Sequence, residues 1–289
     1  MNSLLTPAMA GLSAGGAYAI LGVCAIFTYR LVAVVNFTGA AVGACGAFIM
    51  VALVEMGMPL FPAVVLGIAA GALAALFVGF ITTIWFSGAN GSVKAAVTAA
   101  LLVGFIALGL RLTGGQHPKR FPDILQGAWL RLADVQITNA SIAAIGLAIV
   151  LTIAAEQFLN RTRTGLELRA LSERPMAAEL LGIRVRLLAL IVWAIAGAVT
   201  AFALMLIAPL RSPDFASLSL LIVPALAAAL IGAFKSFRAA LFGGLAIGII
   251  EGLASGLVGL NQYRAAIPFI VILLVLLWSQ REARWDESR

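Results

Sequence analysis

Few side chains in this 289-residue chain are of a type that does chemistry, and their spacing assembles no catalytic group. The one histidine, His117, stands beside Pro118 and Lys119 in a polar stretch with nothing near it to complete a metal-ligand set. Cys24 and Cys45 both lie in apolar runs, where a thiol behaves as a small hydrophobe, so neither a disulfide nor a metal site is expected. A phosphate-cradling Gly-x-x-x-x-Gly-Lys-Ser/Thr loop is absent: Lys235-Ser236 follows Ala233-Phe234, and Lys94 follows Asn90-Gly91-Ser92-Val93. No catalytic residue and no cofactor of its own are expected, and any ATP hydrolysis belongs to another subunit.

Two polar residues inside apolar surroundings are candidates for a pathway through a membrane. Glu251 is the only acidic residue set well inside an apolar segment, where an ionised carboxylate is costly and faces protein or water. On a helix it falls about 20° from Gly244 and about 60° from Gly248, near a packed face. It reads as a buried structural carboxylate, as a gating residue, or as part of a proton relay. Asn36 sits between the first two apolar runs, either as a turn or helix cap or as part of unwound backbone opening onto a cavity.

The elements that must position these residues follow from composition. The chain is 63% hydrophobic and 11% charged, with a mean hydropathy of +1.09, far less charged than a soluble domain. Apolar segments recur at 8–29, 38–56, 60–86, 93–112, 139–159, 187–208, 217–234, 239–258 and 265–279. Each approaches the length that crosses about 30 Å of hydrocarbon as a helix. The expected fold is all-α, a polytopic transmembrane bundle of eight to ten spans forming one domain over residues 1–289. Segment 38–56, or the pair 217–234 and 239–258, is short enough to be broken or re-entrant. The first apolar run lacks a basic leader and is longer than a signal peptide needs, so it is expected to be retained as a span. Glycines four apart (Gly11/Gly15, Gly39/Gly43, Gly67/Gly71, and Gly244 through Gly256) predict helices that approach closely.

The net charge of +7 reads as membrane orientation rather than affinity for nucleic acid. Arg161 to Arg186 is the one long charged insertion, with six arginines and three glutamates. Placing it in the cytoplasm puts thirteen basic residues inside and six outside, with the N-terminus out and the C-terminus in. Within it Pro175 suits the first turn of a short helix and Gly182 a left-handed stop. Residues 165–172 are expected to prolong the preceding span. Met176, Ala177, Leu180 and Leu181 are apolar at helical spacing, with Glu179 to one side and Arg174 before the turn. So short a helix needs a surface to rest on: either the membrane, or a groove on a cytoplasmic partner. In an outer loop, Arg211 and Asp214 flank Pro213 as contacts for an extracytoplasmic protein or as plain solvated residues.

Ala177-Ala178-Glu179-Leu180-Leu181-Gly182 resembles the Ala-Ala-x-x-x-Gly loop of ABC importer permeases, with Met176 where a glutamate would stand. Arg169-Ala170, Pro175-Met176-Ala177 and Leu181-Gly182-Ile183 are similar to that loop in branched-chain amino acid permeases of the LivH/LivM type. Gly11, Gly15, Tyr18-Ala19 and Asn36-Phe37 resemble that family's first span and following turn. Ala228 to Gly232, Gly243-Gly244-Leu245, Gly248 and Glu251 resemble its glycine-rich segment ending in glutamate. The chain departs from the pattern after Phe37, where Thr38-Gly39-Ala40 stands in place of the family's histidine turn, and in its tail from Ser279.

The resemblance implies a permease subunit of an ATP-driven importer for branched-chain amino acids or related small solutes in a bacterial cytoplasmic membrane. It implies two ATPase subunits that bind ATP and Mg and dock on Arg174 to Gly182, a second permease, identical or homologous, and an extracytoplasmic binding protein. A proton- or sodium-coupled carrier using Glu251 is the alternative, and a membrane scaffold with a recruiting loop is a third.

Overall fold

Apolar runs fix the helices of this chain, and the punctuation between them fixes the turns. The computed structural model describes residues 2–125, 127–132, 135–167, 184–211, 213–257 and 259–287. The elements are α1 (Asn2–Val32), α2 (Gly39–Glu55), α3 (Leu60–Phe80), α4 (Gly91–Thr113), strands β1 (Ala128–Leu132) and β2 (Val135–Thr138), and α5 (Asn139–Arg161). After α5 come α6 (Val185–Arg211), α7 (Phe215–Ser219), α8 (Ile222–Ile231), α9 (Phe237–Ser255) and α10 (Ile267–Glu287). A π-helical turn, Ile81–Trp85, prolongs α3, and a 3-10 turn, Asn261–Ala266, leads into α10.

Among the described residues seven helical stretches are long and apolar enough to cross a membrane, and two shorter apolar ones, Gly39–Glu55 and Phe215–Ile231, complete a set of nine. These coincide with the nine apolar segments of the sequence. Of the candidate interruptions, the run from Phe215 is broken, by a turn at Leu220–Leu221 between α7 and α8, whereas Phe237–Ser255 is one continuous helix. The chain is therefore a multi-pass helical membrane protein. The antiparallel hairpin β1–β2, with Leu132 opposite Val135 and an irregularity between Ala128 and Leu130, is an element the sequence reading did not anticipate.

The two ends of the bundle carry different charges. At one end Arg30 donates to Lys235 O (3.2 Å), Arg238 pairs with Glu156 (2.8 Å) and Lys94 donates to Ser87 O (3.3 Å). At the other Lys119 pairs with Glu55 (3.0 Å), and its backbone N–H donates to Pro213 O. Of the expected extension 165–172, residues 168–172 lie outside the described residues; residues 163–167 are helical, but Thr162, extended at φ −106° and ψ 147°, separates them from α5, so they do not simply prolong it.

Helix α1 is the centre of the bundle, 78% buried along its span, while the final span, Asn261–Trp278, is 6% buried and faces outward. Glycine makes the central packing possible, because without a hydrophobic effect between helices association depends on close van der Waals approach. Gly11 and Gly15 of α1 lie against the main chain of Gly244, Leu245, Gly248 and Gly252 of α9. A second seam joins α2, α3 and α6: Gly46 faces Gly67, and Gly71 faces Gly197.

Candidate functional site

The first interruption of the bundle lies between α1 and α2. Ala33 takes a left-handed conformation (φ 55°) and stops α1, and the chain then runs without helix to Thr38. Unwound backbone that is buried must find partners within the protein. Thr98 of α4 provides them: its hydroxyl accepts from Phe37 N–H (3.3 Å) and donates to Val35 O (3.0 Å) or to Ala95 O (2.9 Å). Asn36 closes a local turn, its side-chain oxygen accepting from the Thr38 N–H (2.9 Å) and from the Thr38 hydroxyl (2.7 Å). Both Asn36 and Thr38 are buried.

The second interruption, at Leu220–Leu221, starts α8 beside the first. A Cβ on Gly39 would stand 3.5 Å from Ile222 Cδ1 and 3.6 Å from Asn36 Nδ2, so the beginnings of α2 and α8 meet. They do so around a narrow cavity of about 10 Å³, room for roughly one water. From α1 it is lined by Leu21, Cys24, Ala25 and Thr28, and from the break and α2 by Asn36, Gly39 and Val42. Ala75 of α3, Ala196, Gly197 and Thr200 of α6, and Ile222 complete the wall. The lining holds no charged residue. Toward the Lys119 end Phe48 meets Phe121 edge-on (5.1 Å between centroids) and Phe215 at 5.4 Å, all three buried, which closes the bundle on that side.

The two predicted pathway residues are not brought together. Asn36 combines both roles left open for it, forming a turn and lining the cavity. Glu251 lies on the α1–α9 seam, where it accepts a hydrogen bond from the Tyr18 hydroxyl (2.6 Å), and is not part of the cavity wall. Asp214 caps α7 by accepting from Ser217 N–H (2.8 Å), and His117 is exposed. The expected coupling segment, Arg174, Pro175, Met176, Ala177, Ala178, Glu179, Leu180, Leu181 and Gly182, lies outside the described residues. Thr98 and Ile222 are the participants that sequence reasoning missed. A threonine within an apolar helix was the available signal for the first; nothing marked the second.

Helices interrupted inside a multi-pass bundle, around a mostly apolar, uncharged cavity holding Thr28, Asn36 and Thr200, are an arrangement that solute permeases use. Residues 8–276 match the family described as branched-chain amino acid transport system / permease component. The chain belongs to that family. It is 24% identical over 281 residues to the high-affinity branched-chain amino acid transport system permease protein BraD of Pseudomonas aeruginosa, covering 93% of this chain and 91% of the relative. The corresponding LivH protein of Salmonella typhimurium is 25% identical over 284 residues, covering 92% and 91%. Among solved structures, PsaBC from Streptococcus pneumoniae in complex with Fab contains a chain of the same fold, with a TM-score of 0.50 at 16% identity over 96% of this chain and 91% of that one.

Proposed function

We propose that this chain is the pathway-forming subunit of an ATP-driven importer for branched-chain amino acids or related small solutes. It acts as one transmembrane domain in a bacterial cytoplasmic membrane. The observation that carries the reading is the cavity at the meeting of two helix breaks, in a chain of this permease family. The end bearing Arg30, Lys94, Lys235 and Arg238 faces the cytoplasm, in keeping with the excess of basic residues there. Two ATPase subunits, which hold ATP and Mg, dock on Arg174 to Gly182, and their closure tilts the bundle about the cavity. A second permease completes the pathway, and an extracytoplasmic protein delivers the cargo to the opposite end.

Co-purification tests this. The chain is expected to bring down a P-loop ATPase and, in proteoliposomes, to support leucine uptake that requires ATP and survives an uncoupler. Replacing Ala177, Ala178 and Gly182 by bulky charged residues abolishes that uptake and leaves thermal unfolding of the chain unchanged. Full ATP-dependent uptake by that variant contradicts the docking assignment, and uptake that collapses with the uncoupler at constant ATP contradicts the importer.

A further inference from the structure

We propose that the cavity beside Asn36 is a carboxylate subsite, and that this chain reads the carboxylate end of a small solute but not an amine. The proposal rests on the permease reading above and adds the chemistry by which cargo is held.

The first observation is an unused donor. Asn36 is 6% exposed, and its oxygen is taken by Thr38, which fixes the amide nitrogen toward Gly39 and Ile222 on the cavity wall. Among the described residues Asn36 Nδ2 meets no acceptor. That nitrogen is not fully enclosed by protein but opens onto the cavity, where a ligand oxygen can accept from it.

The second is the start of α2. The first N–H groups of a helix have no intrahelical partner, and Thr38 supplies no side-chain cap for them. They lie inside the bundle at Gly39, a residue with no side chain to screen them from the cavity. Ile222, at the beginning of α8, lines the same space, but the main chain there is already engaged: the N–H groups of Leu220, Leu221 and Val223 donate to Ala216 O, Leu218 O and Leu220 O. The uncapped start of α2 and the Asn36 amide converge without any lysine or arginine, an arrangement that favours a carboxylate over a cation.

The third is what the wall withholds. The hydroxyl protons of Thr28 and Thr200 go to Cys24 O and Gly197 O, leaving neutral acceptors and no counter-charge for an ammonium group. An uncompensated cation in such a setting is expensive. The carboxylate of Glu251 is engaged by Tyr18 elsewhere on α1. Leu21, Val42, Ala75 and Ile222 form an apolar wall that a short aliphatic body would meet once the cavity, about one water wide in this structure, widens.

Cys24 lies on the cavity wall and Cys45 does not, so a Cys45→Ala background turns Cys24 into a reporter. In the complex purified with its ATPase subunits, modification of Cys24 by methyl methanethiosulfonate is followed with 4-methylpentanoate, 3-methylbutylamine or leucine present. The carboxylate and leucine are expected to slow it severalfold, the amine to leave it unchanged, and Asn36→Leu to remove the protection. In a second measurement the near-isosteric Asn36→Asp places a negative charge against the carboxylate. It weakens the apparent affinity for leucine in ATP-driven uptake by about tenfold or more, the scale of a hydrogen bond to a charged group. Equal protection by the amine, no protection by the carboxylate, or unchanged uptake affinity in Asn36→Asp overturns the subsite. If the wild-type complex takes up leucine with ATP while the carboxylate gives no protection, the subsite fails and the permease reading stands. If it drives no uptake at all, the permease reading itself fails.

Discussion

Gly248→Ala is the sharpest probe of how the bundle is held together. The added Cβ would stand 2.6 Å from Gly11 O and closer still to the main chain of Gly15, all of it backbone that cannot rotate aside. Restoring ordinary contact requires α1 and α9 to part by roughly 1 Å, which weakens dispersion along the whole seam. Overpacking of this kind costs about 1–3 kcal/mol, and loss of close Cα–H···O approaches adds about 0.5–1 kcal/mol for each one opened. The gain from replacing a helical glycine by alanine, about 0.5–1 kcal/mol, offsets part of this. A net loss of about 2–3 kcal/mol corresponds to a fall in Tm of roughly 5–10 °C for a chain of this size. Thermal unfolding of the purified protein in detergent measures it, with Gly104→Ala and Gly146→Ala as controls, because a Cβ at either of those positions meets nothing within 4 Å. A Gly248→Ala protein that melts with the wild type, or controls that fall as far, refutes the argument that main-chain contact across this seam holds α1 to α9.

Two further perturbations separate structure from transport. Thr98→Val keeps the shape of the side chain but strips the partners from Val35 and Phe37, so Tm should fall by an amount equivalent to about 1–2 kcal/mol and uptake should fall with it. An unchanged Tm in that variant would mean that the break is held by something other than α4. Tyr18→Phe removes a hydrogen bond to a carboxylate, worth about 1.5–3 kcal/mol, whereas Glu251→Gln retains an acceptor and should melt closer to the wild type. Glu251→Gln that unfolds normally yet has lost uptake would move Glu251 from the seam into the pathway.

Much of the fold was legible in the sequence because membrane helices are written as long apolar runs. The nine segments coincide with the helical stretches, and the four-residue glycine spacing marked the seam where α1 meets α9 and, at Gly67 and Gly71, the face of α3 that meets α2 and α6, whereas Gly39 and Gly43 face Ile222, Thr200 and Leu204. The site was half legible. Asn36 betrayed itself as a polar residue between spans, but Ile222 lies in a featureless apolar run, and only the three-dimensional meeting of α2 with α8 brings it to the cavity. Glu251 stood out by its charge, yet what it touches depends on the packing of α9 against Tyr18, which helical periodicity cannot supply. The hairpin β1–β2 was missed because residues 128–138 alternate too briefly to be told from a polar loop.

In the proposed importer, cargo passes the point where α2 and α8 begin. A Cβ at Gly39 would fit in ordinary contact, 3.5 Å from Ile222 and 3.6 Å from Asn36, but the rest of a leucine side chain would have to occupy the cavity. The measurement is ATP-dependent leucine uptake by proteoliposomes holding the complete transporter, compared for wild type, Gly39→Ala and Gly39→Leu, each checked by its melting temperature. Uptake should persist in Gly39→Ala and vanish in a folded Gly39→Leu. Wild-type uptake by a Gly39→Leu transporter that melts normally would place the pathway elsewhere.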